Sequence, residues 1–242
     1  MFQPLTLIAL FFSVNVLAFT AKVLEVVPGE RPFVKLDNGE VKFLDGQKSL
    51  LNVGDRVETN EPGPHTLDES TYDPSVLSDQ NAASAIFNRM RSTRWRSQCY
   101  NRAHVWAYEE FNRSGLRAQK TFIFFTNSYI RNYNYKWWFH VAPSTLVEES
   151  GVKKSMVLDW TFFDLPQEEK EWALYFMESK RACPTVKRYS DYKNNQESED
   201  CYLIKTSMYF WQPLDIEAHE KSGEEKTNFI DWEINRAYRN AL

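Results

Sequence analysis

At 242 residues, 43% hydrophobic and 15% aromatic with only 8 glycines, the chain has the composition of a folded protein with a well-filled core, which excludes a disordered chain. Its length allows one good-sized domain, or one domain and a small module. A formal net charge of −4 and a pI near 5.7 exclude nucleic acid as a partner, because phosphate binding needs a basic surface.

The chain opens on Leu5-Thr6-Leu7-Ile8-Ala9-Leu10-Phe11-Phe12, an apolar core followed by Val16-Leu17-Ala18, with small residues at the −3 and −1 positions of a cleavage site. This pattern predicts a signal peptide over residues 1–18 and a secreted or periplasmic protein. Ser13 and Asn15 make the run too short and interrupted for stable membrane insertion.

Residues 19–60 read as a small β module of the SH3 or OB barrel sort. Short β-prone runs around Val23, Phe33–Leu36, Val41–Leu44 and Arg56–Glu58 are punctuated by turn signals, among them the hairpin tripeptide Asp37-Asn38-Gly39. Residues 61–77 form the expected linker, begun by Glu61-Pro62-Gly63-Pro64. From residue 78 to 242 the pattern is α+β and is expected to form the main domain.

Ser78-Asp79 caps a helix whose apolar stripe is Ala82, Ala83, Ile86, Phe87 and Met90. Five arginines follow in a cluster, Arg89, Arg91, Arg94, Arg96 and Arg102. A solvated helix face is the ordinary reading, and service to an acidic substrate is the other. Ser97 is the expected N-cap of a second helix from Gln98 to Ser114, closed by Gly115. Three strand-like runs come next, Lys120–Thr126, Tyr135–Ala142 and Ser155–Trp160. A helix over 167–179 begun by Pro166, a strand over 202–210 and a helix over 228–239 complete the chain.

Three cysteines in an exported chain leave one thiol over. The economical assignment is a Cys183–Cys201 bridge and a free Cys99, either an inert apolar residue or a thiol with a task. Cys99 falls in the first turn of the second helix, where unpaired N–H groups and the helix dipole favour thiolate. Trp137-Trp138-Phe139-His140-Val141-Ala142 sets a histidine in an apolar strand, and Val157-Leu158-Asp159-Trp160 ends the next strand on an acid. Buried ionisable groups are costly alone, so two in neighbouring strands are expected to meet. A helix-borne Cys followed by strand-borne His and Asp is the order found in papain-like and transglutaminase-like thiol enzymes.

Three blocks, Cys99-Tyr100-Asn101-Arg102-Ala103-His104, Trp137–Ala142 and Leu158-Asp159-Trp160-Thr161-Phe162-Phe163, resemble those of the bacterial protein-glutaminases, secreted enzymes that hydrolyse the side-chain amide of protein-bound glutamine. The resemblance covers roughly 94–163 and implies a papain/transglutaminase-like core with Cys99 as nucleophile, His140 as general base and Asp159 as its orienting partner. It departs at Trp160, where the family has proline. A transglutaminase, a cysteine peptidase on the same triad and a catalytically silent binding protein on the same fold are the rival readings.

The expected partner is a protein or peptide substrate. No cofactor is implied, and neither Cys-x-x-Cys nor His-Glu-x-x-His occurs to hold a metal. His104 lies five residues after Cys99, about 140° around the helix, and reads as a structural hydrogen-bonding group. His65 and His219 are expected at the surface. Strand alternation predicts one of Trp137 and Trp138 in the core and the other on a cleft wall.

Overall fold

The computed structural model describes residues 72–222 and 231–242, together with four strands nearer the N-terminus. The expected leader at 1–18 and most of the linker, His65 included, lie outside the described residues. The four strands are β1 (Phe19–Glu25), β2 (Phe33–Leu36), β3 (Val41–Phe43) and β4 (Arg56–Thr59), all antiparallel in the order β3-β2-β1-β4. The expected SH3- or OB-like barrel is thus described as four strands on an open path, with no pairing between β3 and β4 among the described residues.

The main body begins with β5 (Val76–Leu77) and α1 (Gln80–Asn88). Asp79 caps α1 as its sequence predicts, its carboxylate accepting from the Ala82 N–H at 2.8 Å, and Ala83, Ile86, Phe87 and Met90 are buried. Helix α2 (Cys99–Ser114) ends at Gly115, whose φ of 70° suits a residue without a side chain. Every residue from Asn101 to Phe111 is buried, because α2 lies between the sheet and α6 (Asp231–Ala241).

The sheet runs β10 (Cys201–Ser207), β6 (Gln119–Phe125), β7 (Phe139–Glu149), β8 (Val152–Val157) and β9 (Gln167–Glu168), all antiparallel. β5 adds a short parallel pairing to Leu146 and Val147. The run Phe122-Ile123-Phe124-Phe125 is apolar throughout because both faces of β6 are covered. Phe122 and Phe124 pack with Ala103 of α2, while Ile123 and Phe125 pack with Tyr129 of α3 (Asn127–Tyr133) and Trp172 of α4 (Glu169–Tyr175). The result is a mixed protein with helices on both faces of an open antiparallel sheet.

Several elements differ from expectation for local reasons. The helix expected from Gln167 starts at Glu169, because Gln167 and Glu168 first pair with Val157 and Met156 of β8. β7 starts only at Phe139 and runs on to Glu149. α3 and α5 (Pro213–Ser222) have little apolar periodicity and escape the sequence pattern.

The arginine cluster is not a solvated helix face. Arg89 and Arg91 form ion pairs of 2.6 Å with the buried Glu110 and Glu109 of α2, and Arg94 bonds the carbonyls of Ala241 and Leu242. Arg102 is itself buried. The carboxylates on α2 require these cations, since a buried charge without a partner is strongly destabilising.

Cys183 and Cys201 form the expected disulfide, and Cys99 is free and half-buried. No helix among the described residues is long and apolar enough to cross a membrane.

Candidate active site

Cys99 is the first residue of α2. Gln98, with extended backbone, precedes it without a side-chain cap bond. Ser97, expected as the cap, lies one residue too early. Its carbonyl and hydroxyl instead accept from the Arg102 guanidinium, which folds back over the segment leading into the helix. At the start of α2 the Asn101 N–H bonds the Gln98 carbonyl at 3.1 Å, and the thiol stands at the positive end of the helix dipole.

His140 is the second residue of β7, opposite Ile123 of β6. On its other edge β7 meets β8 only from Ser144 onward, so side chains rather than a strand bound the imidazole there. After β8 the chain bonds once more, Leu158 N–H to the Pro143 carbonyl at 2.8 Å, then turns away. Asp159 sits at this departure, two residues beyond the end of β8. Its own carbonyl accepts from Phe162 and Phe163 at 3.2 Å each, which makes the turn that proline would otherwise shape.

The carboxylate of Asp159 lies 2.7 Å from His140 Nε2, with both side chains 2% exposed. The same Oδ2 accepts the indole N–H of Trp172 at 3.0 Å. The Cys99 thiol hydrogen-bonds the same imidazole, whose Nε2 is taken by Asp159. Burial alone would push the His140 pKa down, but the Asp159 charge and hydrogen bond, helped by Cys99, overturn this and raise it to about 9. Arg102 is pulled the other way: burial lowers its pKa while the charges of Cys99 and Asp159 oppose the fall.

Aromatic rings fix the imidazole from both sides. Trp137 stacks on it at 5.6 Å and 25°, Trp172 at 5.7 Å and 28°, and Phe162 meets it edge-on at 5.2 Å. Ring faces carry partial negative charge, so such a cage favours imidazolium. Trp172 was not singled out in the sequence. The available signal is general: a tryptophan in a buried helix needs an acceptor for its N–H, and Asp159 is the buried acceptor nearby.

The site opens into a cavity of about 620 Å³ whose walls include Trp95, Cys99, Arg102, Trp138 and His140. Trp137 and Trp138 are 41% and 42% exposed, so neither is a core residue. Strand alternation does not apply to them because β7 starts after both. A larger cavity, about 800 Å³, lies beside α5 and touches none of Cys99, His140 and Asp159. His219, expected at the surface, is half-buried against Phe210 at that cavity. His104 is fully buried away from the cleft, with Lys120 Nζ 2.6 Å from its Nδ1 and Glu233 3.7 Å from its Nε2. Among the described residues no cluster of His, Cys, Asp or Glu is placed to hold a metal ion.

A half-buried thiol at a helix start, a buried histidine and a buried carboxylate, gathered at one cleft of a mixed helix and antiparallel-sheet protein, define a class of site. Residues 78–176 match the family model described as Glutaminase. Among curated proteins nothing matches. Two solved structures of protein-glutaminase are similar to the chain. One is a crystal structure at 16% identity, and the other is the NMR structure from Chryseobacterium proteolyticum at 18%. Each has a TM-score of 0.44 and covers 68% of this chain and 86% of its own. A crystal structure of pro-protein-glutaminase is similar at 14% identity and TM-score 0.40, covering 80% of this chain and 83% of its own.

Proposed function

We propose that the protein is an exported thiol amidase that hydrolyses the side-chain amide of glutamine in proteins or peptides, with residues 78–242 as its catalytic domain. The buried His140–Asp159 pair at 2.7 Å, with the Cys99 thiol bonded to the same ring, is the observation that carries this reading. The glutaminase match over 78–176 directs it to a carboxamide.

In this mechanism Cys99 Sγ attacks the amide carbon and the backbone N–H groups at the start of α2 receive the developing oxyanion. His140 holds, as imidazolium, the proton taken from the thiol and delivers it to the departing nitrogen, so ammonia leaves and a thioester remains. Water, deprotonated by the same imidazole, adds to the thioester, and collapse releases glutamate with the proton returned to Cys99. Asp159 holds the tautomer and stabilises imidazolium, and Trp172 holds Asp159. The Cys183–Cys201 bridge accords with export, since such bonds persist in oxidising compartments.

The test is to incubate the protein with a glutamine-rich protein and measure ammonia, glutamate, chain cleavage and cross-linking together. Ammonia with matching glutamate and an intact, uncross-linked chain is expected, falling by on the order of 10⁴ or more in Cys99→Ala. Retained turnover in that variant would sink the thiol mechanism. Lysine isopeptide bonds would move the assignment to a transglutaminase, and new chain ends to a peptidase.

A further inference from the structure

The mouth of the cleft has a charge opposite to that of the chain as a whole. Arg96, Arg102 and Lys136 line it, and among the described residues no carboxylate does, in a protein of formal net charge −4. Asp159 lies behind His140 and is 2% exposed, so it presents no negative surface to an arriving ligand. Arg102 is engaged with Ser97 inside the wall. Arg96 and Lys136 are different: both are exposed, and among the described residues neither has an ion-pair partner. Of the five clustered arginines, Arg89, Arg91, Arg94 and Arg102 are committed within the fold, which leaves Arg96 at the rim.

Between these cations stand tryptophans that the fold leaves in water. Trp95 is 69% exposed, and Trp137 and Trp138 are exposed beside it on the same wall. A polypeptide laid across the cleft would cover these rings, and aromatic rings with nearby cations form a surface suited to anionic peptide. A concave site lined by one sign of charge also concentrates the field and steers ligands of the other sign.

We infer that the cleft selects target glutamines by the charge of their neighbours, taking segments that carry Asp or Glu beside the glutamine over segments that carry Lys or Arg, with Arg96 and Lys136 as the specificity residues. This rests on the deamidase reading for its substrate, but its electrostatics can be tested by binding alone.

Two peptides of equal length, each with one central glutamine, carry either glutamate or lysine on both flanks. Their affinities for the Cys99→Ala protein are measured by tryptophan fluorescence at low and high salt. The acidic peptide is expected to bind about fivefold tighter at low salt, with the ratio shrinking as salt rises. In Cys99→Ala carrying Arg96→Glu and Lys136→Glu, the preference should reverse. Equal affinities at low salt, or a ratio unmoved by the charge reversal in protein of unchanged circular dichroism, overturn the inference. Ammonia release by the wild type from the same peptides reports separately on the chemistry. A binding preference without ammonia supports the charge selection and removes the deamidase reading. Ammonia with equal affinities removes the selection and leaves the reading intact.

Discussion

The imidazole of His140 has its properties set by its immediate surroundings. Burial pulls its pKa down, the Asp159 carboxylate pulls it up, and the net value of about 9 keeps it protonated well past neutrality. Two consequences follow for activity. The alkaline limb of kcat/KM is expected near pH 9, and Asp159→Asn should move it to lower pH, since only Cys99 then opposes the effect of burial. A limb that stays in place would make another group the acid. For stability the sign is also fixed. A folded pKa above the ordinary 6.5 gives a contribution that is whole below about pH 6.5 and lost as pH rises through about 9. The wild type's advantage over Asp159→Asn in denaturant midpoint should therefore narrow across that window. Trp172→Phe removes one of two donors to the same carboxylate oxygen. It should lower kcat about tenfold with KM little changed, and cost about 1–3 kcal/mol for a buried acceptor left short of a partner. A kcat equal to wild type would show that His140 alone holds Asp159.

Among the elements, α1 and α2 were legible because their signals are local. Asp79 caps three residues before the N–H it serves, and Gly115 takes the left-handed backbone that ends α2. Asp79→Ala should cost about 1 kcal/mol of stability. Gly115→Ala should cost a similar ~1 kcal/mol from backbone strain alone, because a methyl there meets no neighbour within 4 Å. Calorimetric or urea unfolding measures both, and a neutral Gly115→Ala would show that the turn relaxes. The meeting of His140 and Asp159 was also legible, from ionisable residues in apolar runs, whereas Cys99 was reached from its place at a helix start and from the resemblance. What escaped was decided at long range. The start of β7 at Phe139 depends on pairing with β6, and Gln167 and Glu168 are drawn from helix to sheet by β8. The arginine cluster read as surface because its partners, Glu109 and Glu110, belong to a helix whose burial is apparent only once α6 covers it.

For the molecule as a whole, Cys183–Cys201 ties the loop after α4 to the edge strand β10, across a sequence separation of 18. Closing a loop of that size is worth about 3 kcal/mol through the unfolded chain, so reduction should lower Tm by roughly 6–12 °C. Peptide mapping under non-reducing conditions should find this bridge and an alkylatable Cys99. A stable bridge to Cys99 would remove the proposed nucleophile.

The hairpin between β7 and β8 turns on Ser150 and Gly151, both with positive φ, 52° and 79°. From that turn the pairing counts back to Ser144 opposite Val157, four residues past His140 and two short of Asp159. The turn thus acts as a gauge: its length decides which residue of the departing chain arrives opposite the imidazole. A single residue added there would deliver Leu158 or Trp160 in place of the acid, and the His140–Asp159 hydrogen bond would be lost.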